Sequence, residues 1–432
     1  MRNPIFTGLL ALAAVGSLAA CDSFVEGIDQ PIDRVNSDSL DLQREVDFQI
    51  TGIKEGFNDA YDQIATLSDL LSDVGEFNRG VRNSTFPTFG DIDRGEIGFD
   101  NNSVDNLSDA VNEYRYAADD LLRRIDETIT FSDDADGVAT EARARFAANF
   151  HGAIARYFLA TYFSEDGVNG GAPISTDRDD PGPVIPAATL YQQAQDKLAI
   201  AFDLGSATQQ RQINTLRARI ALFQGDRGAA GAFAAEGMME GDAPYVGRYT
   251  AASSNDWWSQ GGNGRVQISI ARRFADYDAI DTRDLVVQTL NFDRTFSRPY
   301  YQQALYPTPD VDLPFITWQE NALIQAEVAL LEDTDPDAAE AFVNPVLADR
   351  GFDEIGAADP DLTQETLIQI RDRELFTQGQ RLVDQRRFGL PFEYAVYAGG
   401  GGGDGSFTLQ PLPGIYRYFP LTQTERNANP NL

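Results

Sequence analysis

The sequence holds one histidine and one cysteine in 432 residues, and that scarcity limits its chemistry. Zinc centres built from several His or Cys ligands are impossible with this supply, and no metal or cofactor is expected. A Ser-His or Cys-His relay would have to use His151 alone. His151 falls in a run where Phe146, Phe150, Ile154, Tyr157 and Phe158 recur at helical spacing, which predicts a packed ring at the border of a core-facing stripe. A disulfide is excluded by count. Hydrolysis by a pair of carboxylates is the main enzymology that composition leaves open. No catalytic residue is assigned.

Two groups of residues have the makings of a sugar site, where aromatic faces meet the C–H faces of a pyranose and polar side chains take its hydroxyls. The first is Asn255, Asp256, Trp257, Trp258 and Arg265, and the second is Asp73, Asn78, Arg79, Arg82 and Phe86. The Trp257-Trp258 pair is read first as core packing, with ligand or partner contact as the alternative. The segment SDDADGVATE offers Asp133, Asp134 and Asp136 before Gly137, but it lacks the Glu that a calcium loop needs at its twelfth position. It is read as the N-terminal cap of a helix. The glycine run Gly399 to Gly403 with Gly405 is not followed by Gly-Lys-Ser/Thr, so it reads as a surface loop and not a phosphate cradle.

Charge narrows the partners. With 34 Lys+Arg against 67 Asp+Glu the net charge is -33, which repels phosphate backbones and sets nucleic acid aside. The only lysines are Lys54 and Lys197, so the cations are nearly all Arg. An Asp-rich, Lys-poor surface suits solubility in high salt. The hydrophobic content of 42% is ample for a large core.

Helical periodicity dominates the elements that must position these residues. Candidate helices cover about 41–57, 59–75, 104–129, 138–163, 187–204, 208–223, 227–239, 315–332, 336–349 and 363–388. Period-two alternation is confined to short stretches, Val266 to Ile270 and Tyr416 to Phe419 being the best. The chain is therefore expected to be mainly α. Two segments repeat a helix, turn, helix plan with small facing residues. In one, Ala218 and Leu222 precede the turn and Ala230 and Ala234 follow it; in the other, Ala322, Ala326 and Leu330 precede and Ala338, Ala339 and Phe342 follow. Such pairs stack as in tetratricopeptide repeats. The expected helical repeats span about 41–239 and 315–388, around an irregular, aromatic-rich insert at about 240–314.

The N-terminus MRNPIFTGLLALAAVGSLAAC has one cation, a short apolar stretch rich in Ala and Gly, and the ending Leu18-Ala19-Ala20-Cys21. It reads as a signal peptide over residues 1–20, too short for a convincing membrane span. The ending resembles a bacterial lipobox, which implies cleavage before Cys21 and acylation of that residue by palmitate-type chains. Several acyl chains on one residue meet the condition for stable anchoring. Residues 21–40 then form a polar tether, and residues 41–432 the body.

The last 120 residues or so resemble the SusD/RagB family of outer-membrane nutrient-binding lipoproteins. The pieces that carry the resemblance are FITWQENALIQAEVALL, LTQETLIQIRDRELFTQGQRLVDQRRFG and the closing YFPLTQTERNANPNL. Within them Glu374, Leu375, Gly379, Arg381, Asp384, Arg387 and Gly389 stand in the family's order, followed by Pro420, Glu425, Asn429, Pro430 and Asn431. Gln378 replaces the usual acid before Gly379. This family motif covers about 363–432, and weaker matches extend the resemblance over most of the chain after Cys21.

The charges of the motif are read as architecture. Arg381, Asp384 and Arg387 stand three apart on one expected helix, where a carboxylate and guanidinium fork can tie it to its neighbours. Thr363 is the expected N-cap, flanked by Leu362 and Leu367, and Ile368, Leu375 and Leu382 recur every seven residues as a buried seam.

The resemblance implies a mainly α SusD-like fold, no enzymatic activity, and a lipid-anchored protein of the outer membrane facing the cell exterior. Such a protein binds a glycan or other oligomeric nutrient and delivers it to a SusC-like TonB-dependent transporter. The family motif does not include ligand-contacting residues, so none is carried over by position. Two other readings stay open: a tetratricopeptide-like scaffold lipoprotein of the envelope, and a lipid-anchored glycoside hydrolase.

Overall fold

The computed structural model describes residues 37–77, 86–175, 181–262, 264–279, 281–293, 298–355, 362–397 and 407–432. The signal peptide, Cys21, most of the tether, and the candidate residues Asn78, Arg79 and Arg82 lie outside the described residues, as does the glycine run. No helix among the described residues is long and apolar enough to cross a membrane.

The chain is mainly α, as expected. It opens with a 3-10 turn, Ser37–Asp41, whose backbone and Asp41 carboxylate accept from Arg124 at 3.0 and 2.7 Å. Ser37, inside the stretch read as tether, thus touches the body. Helix α1, Val46–Leu71, replaces the two helices expected over 41–57 and 59–75. The Asn58 taken as a break is buried mid-helix; its side-chain oxygen accepts the Arg248 N–H at 3.0 Å, and its carbonyl accepts the Tyr249 hydroxyl at 3.0 Å. A residue that looked like punctuation is a tertiary contact.

Next come α2, Pro87–Asp93; α3, Asn102–Glu127; and α4, Ala135–Tyr162. The Asp134 side chain accepts from the Gly137 N–H at 2.9 Å, so the acidic segment caps α4 as read. Over its second half α4 is buried on every face, which makes it the central rod of the body.

Helical pairs stack beside it: α5, Ala187–Leu204; α6, Ala207–Phe223; α7, Arg227–Ala235; then, after the insert, α10, Trp318–Leu331 and α11, Pro336–Asp349. Small residues let these helices approach. Ala218, Ala221, Ala230 and Ala234 pack with Ile324 and Val328, joining the two expected repeats into one stack. Asp226 and Asp335 cap α7 and α11 at the inner turns.

The insert is more ordered than expected. It contains α8, Asp256–Gln260, and α9, Arg273–Asp278, together with strands that pair back onto the body. The first strands of the chain are β1, Gly75–Phe77; β2, Phe163–Ser164; β3, Gly171–Pro173; and β4, Val184–Pro186. In the insert β5, Tyr245–Gly247, runs antiparallel to β9, Leu313–Ile316, and β6, Ile268–Ile270, runs antiparallel to β1. Strands β7, Val286–Asp293, and β8, Arg298–Gln303, form a hairpin. Three-residue strands are too short to show a period of two, which is why the segment read as irregular.

The expected helix over 363–388 is two: α12, Gln364–Glu374, and α13, Arg381–Phe388. Thr363 caps α12 as expected, its hydroxyl accepting from the Thr366 N–H at 3.2 Å. The break lies at Thr377 and Gly379, both with positive φ; a Cβ on Gly379 would sit 2.6 Å from Ser68 Oγ. Ile368 is half-buried, Leu375 is buried just past the end of α12 and Leu382 is buried in α13, so the seven-residue seam is not continuous. A hairpin of β10, Glu393–Tyr397, and β11, Phe407–Pro411, then β12, Phe419–Pro420, parallel to β2, and α14, Gln423–Ala428, complete the chain.

The motif charges form a buried lattice that ties α13 to its neighbours, with the Asp384–Arg387 pair present and the Arg381–Asp384 pair replaced. Asp384 does not pair with Arg381. It accepts from Arg371 at 2.9 and 3.2 Å and from Arg387 at 2.8 Å. Arg387 also forks onto Glu327 of α10 at 2.6 and 2.7 Å, and Glu374 takes Arg350 at 2.9 and 2.7 Å. The fork of Arg381 goes to Asp73 beyond the end of α1. At the terminus Asn429 is buried, donating to the Gly182 carbonyl at 2.9 Å and accepting from the Asn431 N–H at 3.0 Å, while Pro430 is exposed.

Candidate functional site

A polar pocket of about 460 Å³ opens where α1, α2, the first half of α3, and α8 converge. Each element turns one face to it. From α1 come Asp59, Asp62, Gln63 and Leu67, and from α3 come Asn102, Asn106, Asp109 and Glu113, spaced by three or four residues so that they share a stripe. Phe86 and Phe89 contribute an aromatic pair, with centroids 5.4 Å apart and planes tilted by 41°. Ser253, Ser254, Asp256 and Gln260 close the opposite wall.

Local hydrogen bonds hold these walls. The Asn101 side chain caps α3 by accepting the Ser103 and Val104 N–H groups at 3.1 and 3.2 Å, and its amide donates to the Thr88 carbonyl at 3.0 Å, so α2 and α3 are locked together. On the far wall Asn255 does the same for α8, accepting from the Trp257 N–H at 2.8 Å and donating to the Val311 carbonyl at 3.1 Å. Trp257 is 0% exposed and its Nε1–H donates to the Thr377 carbonyl at 3.0 Å. The pocket thus has a rigid frame, the condition for a largely preformed site.

Its electrostatics are one-sided. Five carboxyl groups line the pocket, at Asp59, Asp62, Asp109, Glu113 and Asp256, and no Lys or Arg among the described residues does. Burial pushes the Asp256 carboxyl up to about 6, against the Ser259 hydroxyl that donates to it at 3.1 Å, and neighbouring Asp59 raises it further. Asp62 is only 5% exposed; burial raises it well above the usual carboxylate range, with repulsion from Asp256 and Asp59 adding to the shift. Asp62 Oδ1 and Gln260 Oε1 have no hydrogen-bond partner among the described residues. Unpaired acceptors and carboxyl groups that burial pushes toward the protonated form suit a ligand rich in hydroxyls, which can both donate and accept.

The candidate residues separate along these lines. Asp256 and Phe86 line the pocket, and the Arg265 guanidinium lies 5.3 Å from the Phe86 ring, which links the two groups drawn from the sequence. Asn255 and Trp257 stand behind the wall, where Trp257 offers no face to a ligand. Trp258 is half-buried against the main core. Asp73 is taken up by Arg273 at 3.0 Å and Arg381 at 2.7 Å, within the charge lattice.

Most of the lining escaped sequence reasoning. Asp62 was detectable only as a carboxylate beside Tyr61 and, past Gln63, Ile64. The stripe on α3 had no such mark, since a polar helical face is usually a solvated one. His151 is buried as expected, held down to about 3 by burial and then by Lys54, and Tyr114 O bonds its Nδ1 at 2.8 Å. Among the described residues no group of His, Cys, Asp or Glu forms a metal site.

No family model and no curated protein matches the sequence. Solved structures do match its fold. A SusD superfamily protein from Bacteroides thetaiotaomicron VPI-5482 superposes with a TM-score of 0.71 at 16% identity, covering 90% of this chain and 98% of its own. A SusD-like carbohydrate binding protein from Bacteroides vulgatus ATCC 8482 gives 0.65 at 16%, covering 90% and 97%. A second SusD superfamily protein from that organism gives 0.69 at 16%, with the same coverage. The chain has the SusD-like fold.

Proposed function

We propose that the chain is the ligand-capturing lipoprotein of an outer-membrane importer, binding a neutral oligosaccharide in the pocket between α1, α3 and α8 and delivering it to a SusC-like TonB-dependent transporter. The observation that carries this reading is the pocket itself: an aromatic pair, Phe86 and Phe89, beside side-chain amides and carboxyl groups with unused acceptors. The SusD-like fold supports it, since one structure that shares the fold is of a carbohydrate binding protein. The Leu-Ala-Ala-Cys sequence ending at Cys21 supports a lipid anchor, and the outward-facing outer-membrane placement rests on the resemblance to SusD-like lipoproteins. Isothermal titration against a panel of neutral oligosaccharides tests the binding: one of them binds saturably and Asn106→Ala weakens it, whereas full affinity in that variant places the site elsewhere. Co-purification from the native membrane tests the partner, with a TonB-dependent barrel as the expected companion.

One observation favours a second reading. A carboxyl raised to about 6, as at Asp256, is what a general acid in glycoside hydrolysis requires. A reducing-end assay separates the two, because binding alone releases no new ends, and a release abolished by Asp256→Asn would replace capture with hydrolysis.

A further inference from the structure

A second cavity, of about 360 Å³, opens between the first turns of α1 and the middle of α4, and it shares no residue with the carboxylate pocket. Its size lies within the range of small-molecule sites. Ile50, Phe146, Ala147, Phe150, Leu204 and Tyr245 give it apolar walls. At the base the only histidine is neutral: its Nδ1 is bonded with the Tyr114 hydroxyl at 2.8 Å and its Nε2 faces the Tyr245 hydroxyl at 3.4 Å.

The polar groups of the rim are unequal. Arg143 and Asp47 meet across the two helices at 3.3 Å and largely cancel one another. Lys54 stands two turns along α1 from Asp47, on the same face, is exposed, and makes no ion pair among the described residues. In a chain of net charge -33 with two lysines, an unpaired ammonium beside an apolar slot is a local reversal of the prevailing field. It leaves one charge free to meet a ligand, and that charge is positive.

We propose that this cavity is a second binding site, for a small monocarboxylate with an apolar body. The hydrocarbon lies along Phe146, Ala147 and Phe150, and the carboxylate meets Lys54 Nζ at the mouth. Burying the apolar body supplies most of the affinity, and the charge-assisted contact sets its polarity.

Octanoate and octanol, which share a chain and differ in charge, are the probes, titrated calorimetrically into the intact chain. Octanoate is expected to bind saturably at one site, more tightly than octanol. Lys54→Gln, a change at an exposed position, weakens octanoate by about tenfold or more and leaves octanol unchanged. Ala142→Trp, at the half-buried rim, fills the slot and removes both. If that variant does not fold, nuclear Overhauser contacts from octanoate to the Ile50 and Ala147 methyls of the unmodified chain take its place. Octanoate binding that is not saturable, that is indifferent to Lys54→Gln, or that gives no contact to those methyls overturns the proposal.

Discussion

Arg381 and Asp73 are 308 residues apart in the chain and meet through two parallel hydrogen bonds of 2.7 Å each. Arg273 of α9 joins the same carboxylate at 3.0 Å and forks onto Asp372 of α12 at 2.7 and 2.9 Å. One cluster therefore ties the end of α1, the insert and the C-terminal motif together. Because α1 also carries Asp59 and Asp62, the motif charges support the candidate pocket from behind without entering it.

Asp384 is the most exacting member of that lattice. Its partner Arg371 is 1% exposed, and Arg371 Nη1 has no hydrogen-bond acceptor among the described residues. Asp384→Ala leaves that guanidinium buried and uncompensated, which is expected to cost about 3–5 kcal/mol. Chemical denaturation measures it, and an unchanged midpoint would refute the structural role. The acid side follows from the same contacts. Although burial opposes ionisation, Arg371 and Arg387 hold the Asp384 carboxyl down to about 2, below its ordinary 3.8. A group depressed in the folded state stabilises above its unfolded value, so this contribution is lost as pH falls from about 4 to about 2. The variant should lack that part of the acid limb.

Trp257 gives the second prediction, which separates framing from contact. Trp257→Phe keeps most of the buried ring but leaves the Thr377 carbonyl without its Nε1–H donor, an expected loss of about 1–3 kcal/mol. Trp257→Ala opens a cavity in the core and should cost about 3–5 kcal/mol. If the side chain only supports the wall that carries Asp256, sugar affinity falls in proportion to the loss of order in α8. It then recovers in Trp257→Phe under conditions where that variant is fully folded. Weak binding by a fully folded Trp257→Phe would mean that the indole touches the ligand.

Much of this architecture was legible in the sequence because long helices advertise their period. The helix pairs around Ala218 to Ala234 and Ala326 to Ala339 were visible from small residues at helical spacing, and Asp134 and Thr363 were visible as caps. What stayed hidden depends on contacts between distant segments. Asn58 reads as a break until Arg248 is known to meet it, and the strands of the insert are paired too briefly for alternation to show. The pocket suffers from the same limit: four segments compose it, and the two residues anticipated, Phe86 and Asp256, came from different groups. For Trp257 the sequence left core packing and ligand contact both open, and what decides between them, its full burial and its bond to the Thr377 carbonyl 120 residues away, is tertiary.

Charge selectivity is the third prediction. Among the described residues the pocket has five carboxyl groups and no cation in its lining, and those that are ionised impose a negative potential on whatever enters, strengthened by low-dielectric walls. Oligosaccharides of uronic acids, or sulfated ones, should bind at least about tenfold more weakly than neutral chains of the same length and linkage, a difference of about 1.4 kcal/mol. Added salt should narrow the gap by screening the exposed part of that repulsion. Titrations of matched neutral and acidic oligomers at low and high ionic strength read this directly. Equal affinities would show that the acidic wall does not face the ligand.

The last prediction concerns Asp256 and works in the opposite sense to Asp384. Its carboxyl is raised to about 6 from an ordinary 3.8, chiefly by burial, so the folded state prefers the neutral acid. Folding is least hindered below the unfolded value; stability then falls as pH rises from about 4 to about 6 and stays lower above that. Asp256→Asn keeps the size of the side chain and removes the charge that must be buried. At pH 4 the variant and the original chain should unfold alike, while at pH 8 the variant should be more stable by about 2 kcal/mol. It also relieves Asp62, whose carboxyl is raised in part by repulsion from Asp256. Denaturation midpoints at the two pH values decide the matter, and a variant less stable than the original at pH 8 would mean that the ionised Asp256 is held by partners the neutral amide cannot replace.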